Sequence, residues 1–392
     1  MTLLPTTTKE RIESLDMLRG FALLGIFIAN MLTFHTPYFY IDPHSWFTIP
    51  SDVELYKWIN VFVEASFYPI FAMLFGYGLN MQYEKAKRNG KPFAPIMAKR
   101  LAILMGFGLI HAIFVWSGDI LFTYAVMGFI MIAAIRIPKK WLLPIAFIIY
   151  LIPTALLIVG VLLIEKVSPG ELMDGYVDIQ QIELAISAYA HGTYGEALIF
   201  RTFEWLMFGL TSAVMGVFMI LPLIMIGAWF SKAKLFERAG EWKARISIVT
   251  VIALIAGFFI KYIPYMTDTT QSNQLLQQLI GGPILAIGYG GMIILLCQLT
   301  FFRTVFRPVA KAGRMSLTTY LTQSIVATII FYGYGFGLYG KVDLETGMMI
   351  AIGIFVLQVI FAELWLMKFK MGPFEWIWRK GTYGKNVMKK EG

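Results

Sequence analysis

Runs of about twenty apolar residues, separated by short basic segments, recur along the whole chain, and no other feature limits its fold so tightly. A helix needs roughly 20 such residues to cross the hydrocarbon core, and helices satisfy their own backbone hydrogen bonds there. Ten stretches qualify: about 17–36, 57–82, 101–117, 120–135, 141–164, 206–230, 246–265, 279–302, 315–334 and 347–367. The third and fourth are short and meet at Gly118-Asp119, so they read as one hairpin. The sixth follows an amphipathic stretch, 196–205, that either lies at the interface or extends the helix outward. The chain is 58% hydrophobic and 15% charged, against about 25% charged for soluble domains. That excludes a water-soluble enzyme and a disordered chain. The expected fold is an all-α polytopic membrane protein with about ten transmembrane helices.

The charges orient the bundle. With the N-terminus inside, 28 of the 33 Lys and Arg residues fall on the inner side. The opposite side keeps Lys57, Lys166, Arg201, Lys261 and Lys341. Basic loops stay in the cytoplasm, so both termini are expected there. The same asymmetry accounts for the net charge of +9 without nucleic acid as a partner. The first 19 residues carry Lys9, Arg11, Asp16 and Arg19 ahead of an apolar run with no small-residue cleavage site, so no cleavable signal is expected. Cys297 is single, which forbids an internal disulfide. The chain divides into a motif-bearing part, 1–135, with helices one to four, then 136–245 with helices five and six, then 246–392 with the last four helices and a tail. Two long external segments, 37–56 and 165–196, are acidic and aromatic. No internal repeat is apparent, which disfavours a transporter built from paired repeats.

Ionisable groups inside a membrane are expensive and mark sites. Counting 1.5 Å per residue, Asn30, Glu64 and His111 fall at a similar depth, roughly 10 Å below the outer ends of three helices. His supplies a general base near neutral pH, a carboxylate such as Glu64 or Asp119 can fix its tautomer, and an amide such as Asn30 can steady an oxyanion. The plainer role is a backbone hydrogen bond for His111 and helix-to-helix adhesion for Asn30. At the inner face lie Asp16, Arg19, Arg100 and Arg314. Arg100 and His111 are eleven residues apart, nearly three whole turns, so they share one helix face. Gly106 and Gly108 between them allow close approach of a backbone or a ligand. The arginines are interfacial anchors or a clamp for an anionic ligand. No metal site is expected.

Several motifs resemble the YeiB-like family of bacterial membrane proteins, whose C-terminal half is a domain of unknown function, number 418. They are Leu15-Asp16-x-x-Arg19-Gly20 running on to Asn30, Leu74-Phe75-Gly76-x-Gly78-Leu79, and Arg100-Leu101 with Gly108, His111, Trp116-x-Gly118-Asp119 and Tyr124. Gly313-Arg314-Met315-x-Leu317-Thr318-x-Tyr320 and Gly372-Pro373-x-Glu375-Trp376-x-Trp378-Arg379 complete the pattern, which runs from residue 11 to 382. The family is grouped with membrane acyltransferases similar to heparan-alpha-glucosaminide N-acetyltransferase. The resemblance implies transfer of an acyl group from cytosolic acyl-CoA or acetyl-CoA to a glycan or other envelope acceptor across a bacterial plasma membrane. The acetyltransferases carry a histidine in a His-x-Ser-Trp run, of which His44-Ser45-Trp46 is reminiscent, whereas the YeiB-like pattern carries His111. Both stay candidates. Where family members read Gly-Lys before the Phe of helix two, this chain has Ala65-Ser66 before Phe67.

The expected enzyme holds acyl-CoA phosphates on Arg19, Arg100 or Arg314, runs the pantetheine arm beside Gly106 and Gly108, and uses His111 or His44 as base with Asp119, Glu64 and Asn30 around it. Its partners are membrane lipid, acyl-CoA and an acceptor hydroxyl or amine, and a homodimer is compatible with them. The competing class is a transporter that uses the same buried His, Glu and Asp as a proton relay.

Overall fold

A computed structural model describes residues 12–168 and 177–384; Lys9, Arg11 and residues 169–176 of the segment 165–196 lie outside them. Every regular element among the described residues is helical. The chain opens with α1 (Glu13–His35), a short α2 (Pro43–Trp46), α3 (Pro50–Phe62) and α4 (Tyr68–Arg88), followed by the hairpin of α5 (Phe93–Phe114) and α6 (Leu121–Ala134). Next come α7 (Lys139–Val167), α8 (Ile179–Ile186), α9 (Tyr194–Glu204), α10 (Leu210–Met219), α11 (Leu221–Lys232) and α12 (Lys243–Met266). The remainder comprises α13 (Gln271–Leu276), α14 (Gly282–Leu296), α15 (Thr300–Val305), α16 (Arg307–Arg314), α17 (Ser316–Phe331), α18 (Leu344–Lys368) and α19 (Pro373–Tyr383).

Seven helical runs are long and apolar enough to cross a membrane: α1, α5, α7, Tyr194–Met219, α12, Gln271–Leu296 and α18. Three shorter apolar helices, α6, α11 and α17, stand beside them. Two of the ten expected stretches take another form. The stretch 57–82 is not one helix, because the chain breaks between α3 and α4, where Ala65 adopts φ 56° and Pro69 starts the new helix. A left-handed alanine cannot continue an α-helix. The stretch 206–230 starts earlier, as a run from Tyr194 to Met219, and restarts at α11, whose Pro222 sits in its first turn. The stretch 196–205 therefore extends the sixth helix at its N-terminal end, and it brings Glu204 into the bundle.

Burial separates inner from outer helices. Helix α1 is the axis, with Met17, Ala22, Leu23, Phe27, Met31 and Leu32 all buried. It touches α4, α14, α16, α17 and α18. Helices α7, α12 and α18 turn rows such as Leu156, Leu163, Ile252, Ile255, Leu357 and Leu364 outward, an apolar surface that suits lipid and not water. Two glycines let the inner helices touch backbone to backbone: a side chain at Gly76 would run into Ile224 O, and one at Gly227 into Met73 O. That reciprocal contact locks α4 to α11, as small residues do in membrane bundles.

Candidate active site: a basic-mouthed cavity against a buried His–Asp pair

Helix α5 ends at Phe114, where the His111 carbonyl accepts both Val115 N and Trp116 N, at 2.9 Å each, and the chain turns. After that turn Asp119 starts α6, its Oδ1 accepting from Phe122 N at 2.8 Å. Its other oxygen, Oδ2, takes a hydrogen bond from His111 Nδ1 at 2.7 Å. A carboxylate can only accept, so this bond assigns the proton to Nδ1. Both side chains are essentially sealed, at 1% and 0% exposed. Gly108 explains the close approach: a Cβ there would sit 2.8 Å from Asp119 Oδ1 and against Phe122 N. His111 Nε2 is buried without a hydrogen-bond partner among the described residues.

Next to this pair lies a cavity of about 250 Å³. Its mouth carries Arg19, Lys85, Arg100, Arg314 and Arg379, and its apolar wall includes Leu23, Phe71, Phe75, Leu104 and Tyr124. It also reaches Ile120, Leu121 and Tyr320, and the ring centroids of Tyr320 and His111 are 5.2 Å apart. Four arginines, from α1, α5, α16 and α19, thus meet at one opening. Arg19 is oriented from its own helix, its Nη1 donating to Asp16 Oδ1 at 2.7 Å, whereas the Arg100 guanidinium stacks 3.9 Å from the ring centre of Trp378 in α19 and Arg314 Nη2 donates to Lys370 O ahead of α19 at 2.5 Å.

Helix α19 closes one side of the mouth through a residue to which sequence reasoning gave no role. Buried Glu375 accepts from Leu317 N at 2.7 Å and Thr318 N at 3.1 Å through Oε1, and from Thr318 Oγ1 at 2.6 Å through Oε2. An acidic group is stabilised at a helix N-terminus, here that of α17. Trp378 Nε1 then donates to Arg100 O at 2.8 Å. The Gly372-Pro373 start, with Glu375 in the first turn, was the available signal for this helix.

The structure distributes the other sequence candidates elsewhere. Gly106 faces open space, and neither it nor Gly108 is among the cavity-lining residues. Asn30 is half-buried, its carbonyl accepting from Thr33 Oγ1 at 2.7 Å, and it too is not among the lining residues. Glu64 does not join His111. It lies in the break between α3 and α4, where its carboxylate accepts from Tyr38 OH and Asn60 Nδ2 at 2.5 Å each, and its carbonyl accepts from buried Lys261 Nζ at 2.7 Å. Equal depth along separate helices therefore did not mean one site, because the break swings Glu64 out of register with α5. His44 belongs with Glu64, its ring 5.3 Å from that of Tyr56 and 6.1 Å from that of Tyr265. Burial lowers the His44 pKa from its ordinary 6.5, while Asp42 and Glu64 oppose the shift.

Glu204 reaches the His111 turn from a third side: Oε2 accepts from Ser117 Oγ at 2.8 Å and Tyr189 OH at 2.5 Å, and Oε1 from Tyr40 OH at 3.2 Å. Arg201, 0% exposed, donates to Ile113 O at 3.4 Å in the same turn. Glu204 was expected near His111 if the sixth helix extended through 196–205, and that extension is what brings it there; Arg201 was not expected.

These features define a multi-pass helical membrane protein with a basic-mouthed cavity beside a buried histidine–aspartate pair. The chain belongs to the YeiB-like DUF418 family. Residues 230–385 match the family described as protein of unknown function DUF418. Residues 11–173 match the catalytic region of heparan-alpha-glucosaminide N-acetyltransferase. Similar proteins include uncharacterized protein YxaH of Bacillus subtilis, 33% identical over 97% of this chain and 96% of that one. An uncharacterized 39.9 kDa protein in the amylase 3' region of Bacillus acidopullulyticus is 30% identical over 99% of both. Uncharacterized protein YeiB of Escherichia coli is 27% identical over 95% of this chain and 96% of its own length.

Proposed function

We propose that the protein is a membrane acyltransferase that takes its acyl group from cytosolic acyl-CoA. One observation carries the reading: a single cavity joins a mouth of arginines to a wall that touches His111. The phosphates of CoA meet Arg19, Arg100 and Arg314 at the mouth, and the apolar wall takes the pantetheine arm. His111, its tautomer held by Asp119, removes a proton from an acceptor hydroxyl or amine. The mouth faces the cytoplasm of a bacterial plasma membrane, both termini lie on that side, and the acceptor is a glycan or other envelope component. The match of residues 11–173 to a catalytic N-acetyltransferase region supports this class of reaction.

The test is binding of acetyl-CoA to purified protein in lipid nanodiscs by calorimetry. Arg100→Ala removes a charge-assisted contact worth about 1.5–3 kcal/mol, so affinity falls about ten- to a hundredfold. Arg100→Lys restores only part, since the planar fork is gone. Absence of acetyl-CoA binding to the wild-type protein overturns the reading. A transporter reading draws on a different observation, the meeting of two helix breaks: Ala65 O lies against Gly282, directly after the wide turn Gln277–Gly281. Proton-driven flux without CoA binding would favour it.

A further inference from the structure

We propose that Tyr320 is a catalytic residue whose phenolic O–H meets the carbonyl oxygen of the donor thioester. The inference rests on the acyl-CoA reading and adds to it the group that receives the developing oxyanion. Among the described residues, Tyr320 lines the cavity and also has its ring against His111. His111 and Asp119 are not themselves among the cavity-lining residues, and Tyr320 is a lining residue whose ring touches the base.

Its hydroxyl is placed to act. Ile120 N donates to the Tyr320 oxygen at a long 3.4 Å, which uses the hydroxyl as an acceptor only. A phenol also carries one proton to donate, and among the described residues Tyr320 donates it to no partner. Ile120, at the same wall, places the hydroxyl beside the turn that holds Asp119. The position is fixed from behind as well, because Glu375 ties the start of α17, the helix of Tyr320, to α19. A rigid donor aimed where charge develops is the form that oxyanion stabilisation takes.

The chemistry balances without a further reagent. The acceptor hydroxyl or amine gives its proton to His111 Nε2 as its oxygen or nitrogen bonds to the thioester carbon. The carbonyl π pair moves onto oxygen, where the Tyr320 O–H holds it. The pair returns, the carbon–sulfur bond breaks, and the CoA sulfur leaves with the proton that His111 had taken. Asp119 offsets the charge of the imidazolium throughout.

The experiment is infrared difference spectroscopy of acetyl-CoA, with and without a 13C-labelled carbonyl, bound to the protein in nanodiscs; it needs no acceptor. A hydrogen bond lowers the carbonyl stretch, so the band in wild type lies below that in Tyr320→Phe, while acetyl-CoA affinity falls by no more than about tenfold, the worth of one hydrogen bond. Where an acceptor supports turnover, the same variant loses about 10²–10³ in rate. An identical band in wild type and Tyr320→Phe overturns the proposal, as does a Tyr320→Phe protein whose acetyl-CoA affinity drops by far more than about tenfold, since the residue would then be wall. Should Tyr320→Phe fail to fold, 3-fluorotyrosine at position 320 keeps ring and hydroxyl and makes the phenol a stronger donor. The band then moves lower still, and an unmoved band overturns the proposal. If wild type binds no acetyl-CoA, the acyl-CoA reading itself falls and takes this inference with it, an outcome distinct from the others.

Discussion

With Nδ1 spent on Asp119, the imidazole of His111 offers Nε2 alone, and that nitrogen is sealed from water. If it is the base, His111→Ala lowers turnover by about 10²–10⁴, while acetyl-CoA affinity holds. His111→Gln does nearly as badly, because an amide keeps a hydrogen bond but takes no proton. A glutamine variant with full rate would reduce the residue to packing and shift attention to His44. The two histidines also differ in how they answer to acid. Burial lowers the His44 pKa below 6.5, so as pH falls through that value the unfolded chain takes up a proton that the folded one resists. Stability near the His44 cluster is therefore complete above pH 6.5 and declines below it. Melting curves from pH 7.5 to 5.5 should show the decline, and His44→Gln should flatten it. Residue chemistry was partly legible in the sequence: His111 and Asp119 stand eight positions apart around a Gly-Asp turn, close enough for spacing to suggest a pair. Glu64 was misplaced because nothing in an apolar run announces a left-handed alanine; Pro69 was the one local hint.

Among the elements, the α5–α6 hairpin sets how near Asp119 can come to His111. Gly108 is its hinge point, since any side chain there presses on Asp119 Oδ1 and on the first turn of α6. Gly108→Ala is therefore expected to cut acyl transfer at least tenfold by displacing Asp119, while acetyl-CoA affinity, set at the distant arginines, changes less than twofold. Comparable loss of both would mean that the whole hairpin had shifted. Helix breaks were the least legible feature at this scale. The join at Ile220–Leu221 separates two apolar helices, so hydropathy alone runs through it, and only Pro222 marks the restart. The roles of α19 and of its Glu375 depend on a partner 57 residues earlier in the chain, a contact that no local pattern encodes.

For the whole molecule, the all-helical, membrane-spanning character was readable from composition, whereas the long runs Tyr194–Met219 and Gln271–Leu296 were read from the sequence with other bounds, 206–230 and 279–302. The convergence of Arg19, Arg100 and Arg314 was not readable in that way, because it depends on how α1, α5 and α16 pack and not on spacing along any one of them. Orientation remains a matter of charge, and it can be tested directly. Single cysteines at Asn89 and Lys139, placed in a Cys297→Ala background, should resist an impermeant maleimide in intact cells, while one at Thr269 should label. Labelling at position 89 would invert the bundle and put the arginine mouth on the wrong side for cytosolic CoA.

The cavity has one more consequence, which concerns inheritance. The region that matches the acetyltransferase catalytic model, 11–173, supplies Arg19, Arg100, His111 and Asp119. The region that matches DUF418, 230–385, supplies Arg314, Tyr320, Trp378 and the Glu375 tie. The two stretches are separate on the gene and share one room in the protein. Neither can be exchanged with a relative as an independent module: a recombinant joining the first part of this chain to the last part of another inherits both walls only when Trp378 still finds the Arg100 carbonyl. Chimaeras across this family should therefore survive crossovers that carry both stretches together and fail at those that fall between them.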